Sequence, residues 1–129
     1  MLDFSRSVDA QPLLIVDDDE PFRNRLARAM EKRGFAVTTA ASVSEGCNVA
    51  RRDKPTYAVL DLRLEDGSGL EIVKELQGSQ PEARIIVLTG YGNIATTVAA
   101  VKAGAIDYLP KPADADAVAA ALLERENAL

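Results

Sequence analysis

Short apolar runs alternate along this chain with longer segments in which apolar residues recur every three or four positions. The runs are typical of buried strands, and the longer segments are typical of amphipathic helices. Five strands and five helices are predicted in alternation, with strands over 13–16, 36–40, 57–60, 84–88 and 106–109. Because this spacing suits right-handed strand–helix–strand units, the pattern predicts a doubly wound α/β domain.

Residues that start and stop helices support these boundaries. Asp19 is the predicted N-cap of the first helix, Pro21 stands near its start, and Gly34 ends it. Ser42-Val-Ser-Glu45 and Ser68-Gly-Leu-Glu71 match the capping-box pattern, so they predict the starts of the second and third helices.

The last two helices follow from spacing and composition. Ile94, Val98 and Val101 define the fourth helix by their helical spacing, and Gly104 ends it. An Ala-rich helix, the fifth, is predicted to run from beyond Pro112 to the end of the chain.

The polarity of the strands predicts their order in the sheet. The first, third and fourth strands are unbroken apolar runs, as expected of central strands that are buried on both faces. The second strand, with Thr38 and Thr39, and the fifth, with Asp107, are more polar and are predicted to lie at the edges. The fold class is therefore α/β, a flavodoxin-like doubly wound (βα)5 domain with a parallel sheet in the order 2-1-3-4-5.

Composition and charge exclude several kinds of chemistry. The chain has 129 residues, one cysteine and no histidine, which excludes His-based triads, His-ligated zinc and an internal disulfide. The lone Cys47 lies on the apolar side of the second helix and is predicted to be a small core residue. A net charge of −5 argues against duplex DNA as a direct partner. The sequence has no membrane span or signal peptide, so a cytoplasmic location is expected.

Polar residues gather at the carboxyl ends of the predicted strands. Asp17 and Asp18 follow the first strand, Asp61 the third, Thr89 the fourth and Lys111 the fifth. Ligands of such sheets bind at this edge, where the strand order reverses between the first and third strands. Three converging carboxylates need positive charge, which Mg²⁺ and a lysine can supply. Carboxylate, Mg²⁺, ammonium and hydroxyl are the groups that phosphoryl transfer to a carboxylate requires.

Each of these residues also has an ordinary structural role. Adjacent acids after a strand commonly cap a helix, which is the role predicted for Asp19. A strand-end Asp or Thr is often a turn residue, and a lysine is often solvated surface. Their joint position at four strand ends is what favours a phosphoryl-transfer site.

Four segments carry a family resemblance. They are Leu14-Ile-Val-Asp-Asp18, Val59-Leu-Asp61-Leu-Arg-Leu-Glu-Asp-Gly-Ser-Gly-Leu70, Val87-Leu-Thr89-Gly and Tyr108-Leu-Pro-Lys111-Pro112. Together they resemble the receiver domain of two-component response regulators, over residues 12–125. The resemblance implies a phosphoprotein that takes a phosphoryl group from a sensor histidine kinase, a self-phosphorylating switch rather than an enzyme.

The resemblance also implies roles for individual residues. Asp61 would be the phosphoacceptor. Asp18 and Asp61 would bind Mg²⁺ directly, together with the backbone carbonyl of Arg63, and Asp17 would complete the acidic pocket through water. Glu65 stands where many receivers carry a proline, which puts the rate of autodephosphorylation, but no required group, in question.

Other implied roles concern the phosphoryl group and the switch. Thr89 would hydrogen-bond the phosphoryl group, Lys111 would pair with it, and Tyr108 would be the aromatic switch residue. The Lys111–Pro112 bond is expected to be cis, as in the family. Phosphorylation would then alter the face formed by helix 4, strand 5 and helix 5, so that it forms a homodimer or releases an output domain.

A narrower resemblance is carried by residues 62–71 and 89–96. They are similar to the redox-responsive proteobacterial regulators of photosynthesis, respiration and nitrogen-fixation genes, which join a receiver to a Fis-type helix-turn-helix domain. We therefore expect residues 1–11 to be a flexible arm and residues 12–129 to be a receiver. We expect the DNA-binding output domain to lie outside this chain, so that DNA would be bound only through that further part.

Two alternatives stay open from sequence, and a third is disfavoured. The chain could be a stand-alone receiver that acts as a phosphotransfer adaptor. It could be a metal-dependent phosphatase that uses Asp17-x-Asp19 as nucleophile and acid. A flavin-binding module is disfavoured, because the loop after the first strand lacks the Ser, Thr and Gly of a phosphate loop.

Overall fold

The computed structural model describes residues 10–90 and 94–124. Its strands are β1 Gln11–Val16, β2 Phe35–Ala40, β3 Tyr57–Asp61, β4 Arg63–Leu64, β5 Gly67–Ser68, β6 Arg84–Thr89 and β7 Asp107–Pro110. Its helices are α1 Glu20–Glu31, α2 Val43–Asp53, α3 Leu70–Ser79, α4 Ile94–Ala103 and α5 Ala115–Leu123. None of the described helices is long and apolar enough to cross a bilayer.

Five strands form one parallel sheet in the order β2-β1-β3-β6-β7. The predicted fourth and fifth strands are β6 and β7, so the predicted order is confirmed. The short strands β4 and β5 form a separate antiparallel hairpin between β3 and α3. Sequence analysis missed this hairpin, since two-residue strands carry no periodic signal.

The sheet separates two apolar layers, and alternate residues of each strand point to opposite sides. On β1, Leu14 and Val16 join the layer covered by α2, α3 and α4, whereas Leu13 and Ile15 join the layer covered by α1 and α5. Cys47 is half-buried and packs against the first of these layers, as its predicted core position requires. Burial on both faces explains why the central strands read as unbroken apolar runs.

The predicted side-chain N-caps form in two helices and do not form in a third. The Phe22 backbone N–H donates to the Asp19 side chain (3.1 Å), and that of Glu45 donates to the Ser42 hydroxyl (3.1 Å). The capping box predicted at Ser68 does not form, because Ser68 belongs to the β4–β5 hairpin and Gly69 is the N-cap of α3. The Ser68 hydroxyl accepts instead from the N–H of Leu70 (3.1 Å).

Helix α4 forms where its apolar spacing predicts, but the three apolar residues that define it are exposed and do not lie in the core. Ile94 is 77% exposed, Val98 47% and Val101 42%. The buried positions are Thr97 and Ala100, whose small side chains suit close packing. Together with Ile106 and Tyr108, which are 42% and 52% exposed at the neighbouring edge strand, the three exposed residues form what we call the α4–β7 face.

Two predicted boundaries change at the ends of the chain. Gln11, assigned to the N-terminal arm, is the first residue of β1 and pairs with Phe35. Helix α5 ends at Leu123, where the sequence predicts a longer helix, and Glu124 has extended backbone. Residues 1–9 and 125–129, and with them most of the predicted arm and the last part of the predicted helix, lie outside the described residues.

Candidate functional site

Three charged side chains from distant parts of the chain meet at the carboxyl edge of the sheet. Asp17 follows β1 and is fully buried, Asp61 ends β3 and is 5% exposed, and Lys111 follows β7. The Lys111 Nζ donates to Asp17 Oδ2 at 2.9 Å and to Asp61 Oδ2 at 3.0 Å. We call these three residues the charged rim. They meet because parallel strands align their carboxyl ends at one edge.

Backbone hydrogen bonds fix the orientation of both carboxylates in the charged rim. The N–H of Asp19 donates to Asp17 Oδ1 at 2.9 Å, and the N–H of Arg63 donates to Asp61 Oδ1 at 3.0 Å. Each carboxylate therefore has one oxygen directed to the backbone and the other to Lys111. Buried charges are tolerated when they are paired and hydrogen-bonded in this way.

Asp18 brings a third carboxylate to the site. One carboxylate oxygen each from Asp17, Asp18 and Asp61 lie within 4.8 Å of one another, and Asp18 is exposed. Oxygen donors of this kind, with one side open to water, suit a hard divalent cation such as Mg²⁺, which keeps several of its waters. The donor set therefore fits the predicted metal.

Burial and pairing act on the ionisation of the charged rim in opposite directions. Burial raises the pKa of Asp17, and the nearby Asp61 charge raises it further, against the lowering effect of the bonds from Lys111 and Asp19. Burial acts to lower the pKa of Lys111, but its hydrogen bonds to Asp17 and Asp61 outweigh this and raise it. Lys111 is thus held as an ammonium, whereas burial disfavours the ionised form of Asp17.

Gly69 is required where the chain passes close to the backbone of Asp61. A Cβ at this position would lie 2.3 Å from the backbone oxygen of Asp61, which is far closer than real side chains approach. The Gly69 N–H donates to the Leu62 oxygen at 3.0 Å and closes the loop that follows β3. The absence of a side chain here lets α3 start directly behind Asp61.

The remaining predicted site residues lie around the charged rim. Thr89 ends β6, is half-buried, and its backbone oxygen accepts from the N–H of Lys111 at 2.9 Å. Tyr108 lies on the edge strand β7 and is 52% exposed. The Lys111–Pro112 bond is cis, as predicted. The carbonyl of Arg63 as a metal ligand stays a prediction.

Sequence reasoning missed two side chains next to the site. The Phe22 ring centroid lies 5.1 Å from Lys111 Nζ, and an Arg23 guanidinium nitrogen donates to the backbone oxygen of Asp17 at 2.9 Å. In the sequence, Phe22 is one of several apolar residues spaced to lie on one face of the first helix. The spacing of such a face does not reveal which of its residues meets a charge.

Comparison with known families identifies the kind of domain that this geometry forms. The sequence model described as the response regulator receiver domain matches residues 13–123. The chain belongs to this family. The flavodoxin-like order of the sheet and the motifs at the strand ends are thus those of a receiver domain, and the chain is the receiver of a response regulator in two-component signalling.

The curated relatives of this receiver are named as regulatory proteins. It is 62% identical over 117 residues to the photosynthetic apparatus regulatory protein RegA of Cereibacter sphaeroides, covering 91% of this chain and 64% of that protein. It is 62% identical over 113 residues to the acid tolerance regulatory protein ActR of Rhizobium meliloti, covering 88% and 58%. The predicted resemblance to regulators of photosynthesis genes is confirmed. The chain spans less than two thirds of the length of either relative.

Solved structures agree with the fold. A response regulator from Burkholderia pseudomallei, crystallised with a phosphorylated aspartic acid, calcium ion and citrate, has a TM-score of 0.82 and 45% identity, covering 88% of this chain and 67% of that chain. The crystal structure of FixJ-N has a TM-score of 0.77 and 34% identity, covering 92% of this chain and 98% of that chain. Both support the receiver architecture.

Proposed function

We propose that Asp61 accepts a phosphoryl group from the phosphohistidine of a sensor kinase. The observation that carries this proposal is the Lys111 ammonium, which lies 3.0 Å from Asp61 Oδ2 and 2.9 Å from Asp17 Oδ2. An Asp61 oxygen forms the new O–P bond while the P–N bond of the phosphohistidine breaks, and the electron pair stays on the imidazole nitrogen. Lys111 then pairs with a phosphoryl oxygen.

Asp17, Asp18 and Asp61 would hold Mg²⁺ during this transfer, with the Arg63 carbonyl as a further donor. The ion would neutralise charge on the phosphoryl oxygens. The support for this assignment is the set of three carboxylates whose oxygens lie within 4.8 Å. Exposed Asp18 leaves the pocket accessible from solvent.

We further propose that the phosphoryl group is sensed through Thr89 and Tyr108. Thr89 ends β6 next to the charged rim, and its hydroxyl would turn towards a phosphoryl oxygen on Asp61. Because β6 pairs with β7, where Val87 lies opposite Tyr108, this movement would reach the α4–β7 face. The exposed apolar residues of that face would then pack against a second copy of the chain.

The output proposed for the whole protein is control of transcription. The curated relatives RegA and ActR are regulatory proteins longer than this chain. We propose that a DNA-binding segment of a longer protein carries the output, and that this acidic receiver makes no direct DNA contact. A stand-alone receiver that passes the phosphoryl group on is the alternative.

Labelling tests the acceptor. The purified chain is incubated with ³²P-labelled acetyl phosphate and Mg²⁺, alongside Asp61→Asn, Asp17→Asn and the control Asp53→Asn, whose carboxylate pairs with Arg52 away from the site. We expect acid-stable, base-labile label in wild type and Asp53→Asn, its complete loss in Asp61→Asn, and its loss in wild type with EDTA. Label that persists in Asp61→Asn but is lost in Asp17→Asn would contradict the proposal and favour a phosphatase-type nucleophile.

A further inference from the structure

The Lys111 ammonium has an aromatic neighbour as well as its two carboxylates. Phe22, on the first turn of α1, is 7% exposed, and its ring centroid lies 5.1 Å from Lys111 Nζ. The face of an aromatic ring is electron-rich and attracts cations at this distance. Lys111 is therefore held by Asp17, by Asp61 and by the ring of Phe22.

The three contacts of Lys111 differ in how they would respond to a bound metal ion. Both carboxylates belong to the set of oxygens that fits a divalent cation, so metal coordination engages the acceptors that Lys111 uses. Two like charges at the same oxygens repel each other, and the ammonium is then less firmly held there. Phe22 offers no oxygen ligand to a hard cation. A metal ion would therefore not compete for the contact between Phe22 and Lys111.

We propose that Phe22 is a positioning residue whose ring keeps the Lys111 ammonium beside Asp61 when Mg²⁺ engages the carboxylates. In that position the ammonium is ready to pair with an incoming phosphoryl oxygen. The inference rests on the proposed function of Asp61 and Lys111, and it adds a role for an apolar residue that the transfer chemistry does not itself require.

A packing role for Phe22 makes different predictions. Phe22 belongs to the apolar layer between the sheet and helices α1 and α5, so any truncation costs stability. Phe35 is a matched control, because it is 5% exposed, belongs to the same layer, and lies at the opposite end of the strands, against Tyr57. Phe35→Leu removes an aromatic ring from this layer without touching Lys111.

The first experiment follows Lys111 directly by NMR. With ¹³C-labelled lysine, the ε-methylene signal of Lys111, assigned with Lys111→Arg, should be shifted upfield by the ring current of Phe22. We expect the shift to persist at saturating Mg²⁺, to be lost in Phe22→Leu, and to be retained in Phe22→Tyr and Phe35→Leu. A Lys111 signal that moves to the position of a solvated lysine on Mg²⁺ binding in wild type would overturn the proposal.

The second experiment lowers the electron density on the face of the Phe22 ring while its shape stays nearly constant. Phenylalanine with one, two or five ring fluorines is incorporated at position 22, and the rate of labelling by acetyl phosphate is measured with Mg²⁺. We expect the rate to fall steadily with fluorination, with a loss of about three- to tenfold for the pentafluoro ring and for Phe22→Leu. Equal rates across the series would assign Phe22 to packing alone.

The two proposals fail in distinguishable ways. If Asp61→Asn still accepts label, the acceptor assignment is wrong, whatever the NMR shows. If Asp61→Asn loses label but the labelling rate does not change with fluorination of residue 22, the assignment of Asp61 as acceptor is retained and the role of Phe22 is rejected. Phe35→Leu should match wild type in labelling rate even though it unfolds at a lower temperature.

Discussion

The charged rim and the α4–β7 face differ in where their side chains find partners. In the charged rim, buried carboxylates and an ammonium are paired within the chain, and the backbone fixes their orientation. In the α4–β7 face, five large apolar side chains are between 42% and 77% exposed. The first region is arranged before any ligand arrives, whereas the second has apolar surface that a partner could cover. Substitutions in the charged rim should therefore change the stability of the folded chain, whereas substitutions in the α4–β7 face should change its association with a partner.

The largest effect is expected on dimerisation, when a charge is placed in the α4–β7 face. Val98 is 47% exposed at the middle of α4, so Val98→Lys should barely alter the unfolding temperature. In a two-fold dimer the change removes an apolar contact and brings like charges together. Beryllofluoride with Mg²⁺ serves as a substitute for the phosphoryl group on Asp61. Under these conditions we expect wild type to be a dimer in sedimentation analysis, and Val98→Lys to weaken dimerisation by about tenfold or more.

The matched control for this prediction lies on the other edge of the sheet. Ala36 is an exposed residue of the edge strand β2, and Ala36→Lys should dimerise like wild type. If Val98→Lys and wild type form equally stable dimers, the α4–β7 face is not the dimer interface. If Ala36→Lys alone prevents dimerisation, the interface lies at the opposite edge.

These two regions also differ in how well sequence predicts them. Asp17, Asp61 and Lys111 could be placed together because parallel topology fixes where strands end, and a strand end is visible as the last residue of an apolar run. In α4 the apolar spacing located the helix and left open which side is buried. The buried side carries Thr97 and Ala100, whose small size allows close packing but gives a weak hydrophobic signal.

Details of the site depend on contacts that no local pattern encodes. Phe22 reaches Lys111 from 89 positions earlier in the chain, and only the completed fold brings them together. Ser68 matches a helix cap in sequence, yet the hairpin that it enters prevents that role. Local signals therefore predicted the elements and the strand-end residues, whereas tertiary packing decided the orientation of α4 and the neighbours of the lysine.

An intermediate effect is expected on the unfolding temperature when a carboxylate of the charged rim is replaced. Because burial raises the pKa of Asp17, its ionised form destabilises the folded state relative to the neutral form. Asp17→Asn should therefore raise the unfolding temperature at pH 7 by about 3 °C. The gain should shrink as pH falls through the raised pKa of folded Asp17, and it should be lost once pH is below the ordinary Asp pKa of about 3.9. Thermal scans across pH measure this.

An exposed acid provides the control for that gain. Asp116 is 86% exposed and pairs with Arg33, so Asp116→Asn should change the unfolding temperature by less than about 1 °C. If Asp17→Asn lowers stability at pH 7 instead, the bonds from Lys111 and Asp19 outweigh the cost of burial. The charged rim would then be a stabilising ion pair.

The smallest effect concerns Asp66, a carboxylate in the turn between β4 and β5. Its two oxygens accept the backbone N–H groups of Val43 (2.8 Å) and Ser44 (3.1 Å) at the start of α2. These bonds lower the pKa of Asp66, so its contribution to stability is present above the ordinary Asp pKa of about 3.9 and is lost as pH falls through the folded value. Asp66→Asn should lower the unfolding temperature at pH 7 by about 2 °C.

The same substitution is thus expected to stabilise the protein at position 17 and destabilise it at position 66. Both differences from wild type should vanish in acid, since each depends on an ionised carboxylate in the folded state. The signs are opposite because burial opposes the charge of Asp17, whereas helix N–H donors favour the exposed charge of Asp66. Equal signs at pH 7 would show that pairing with Lys111, and not burial, decides the stability of the charged rim.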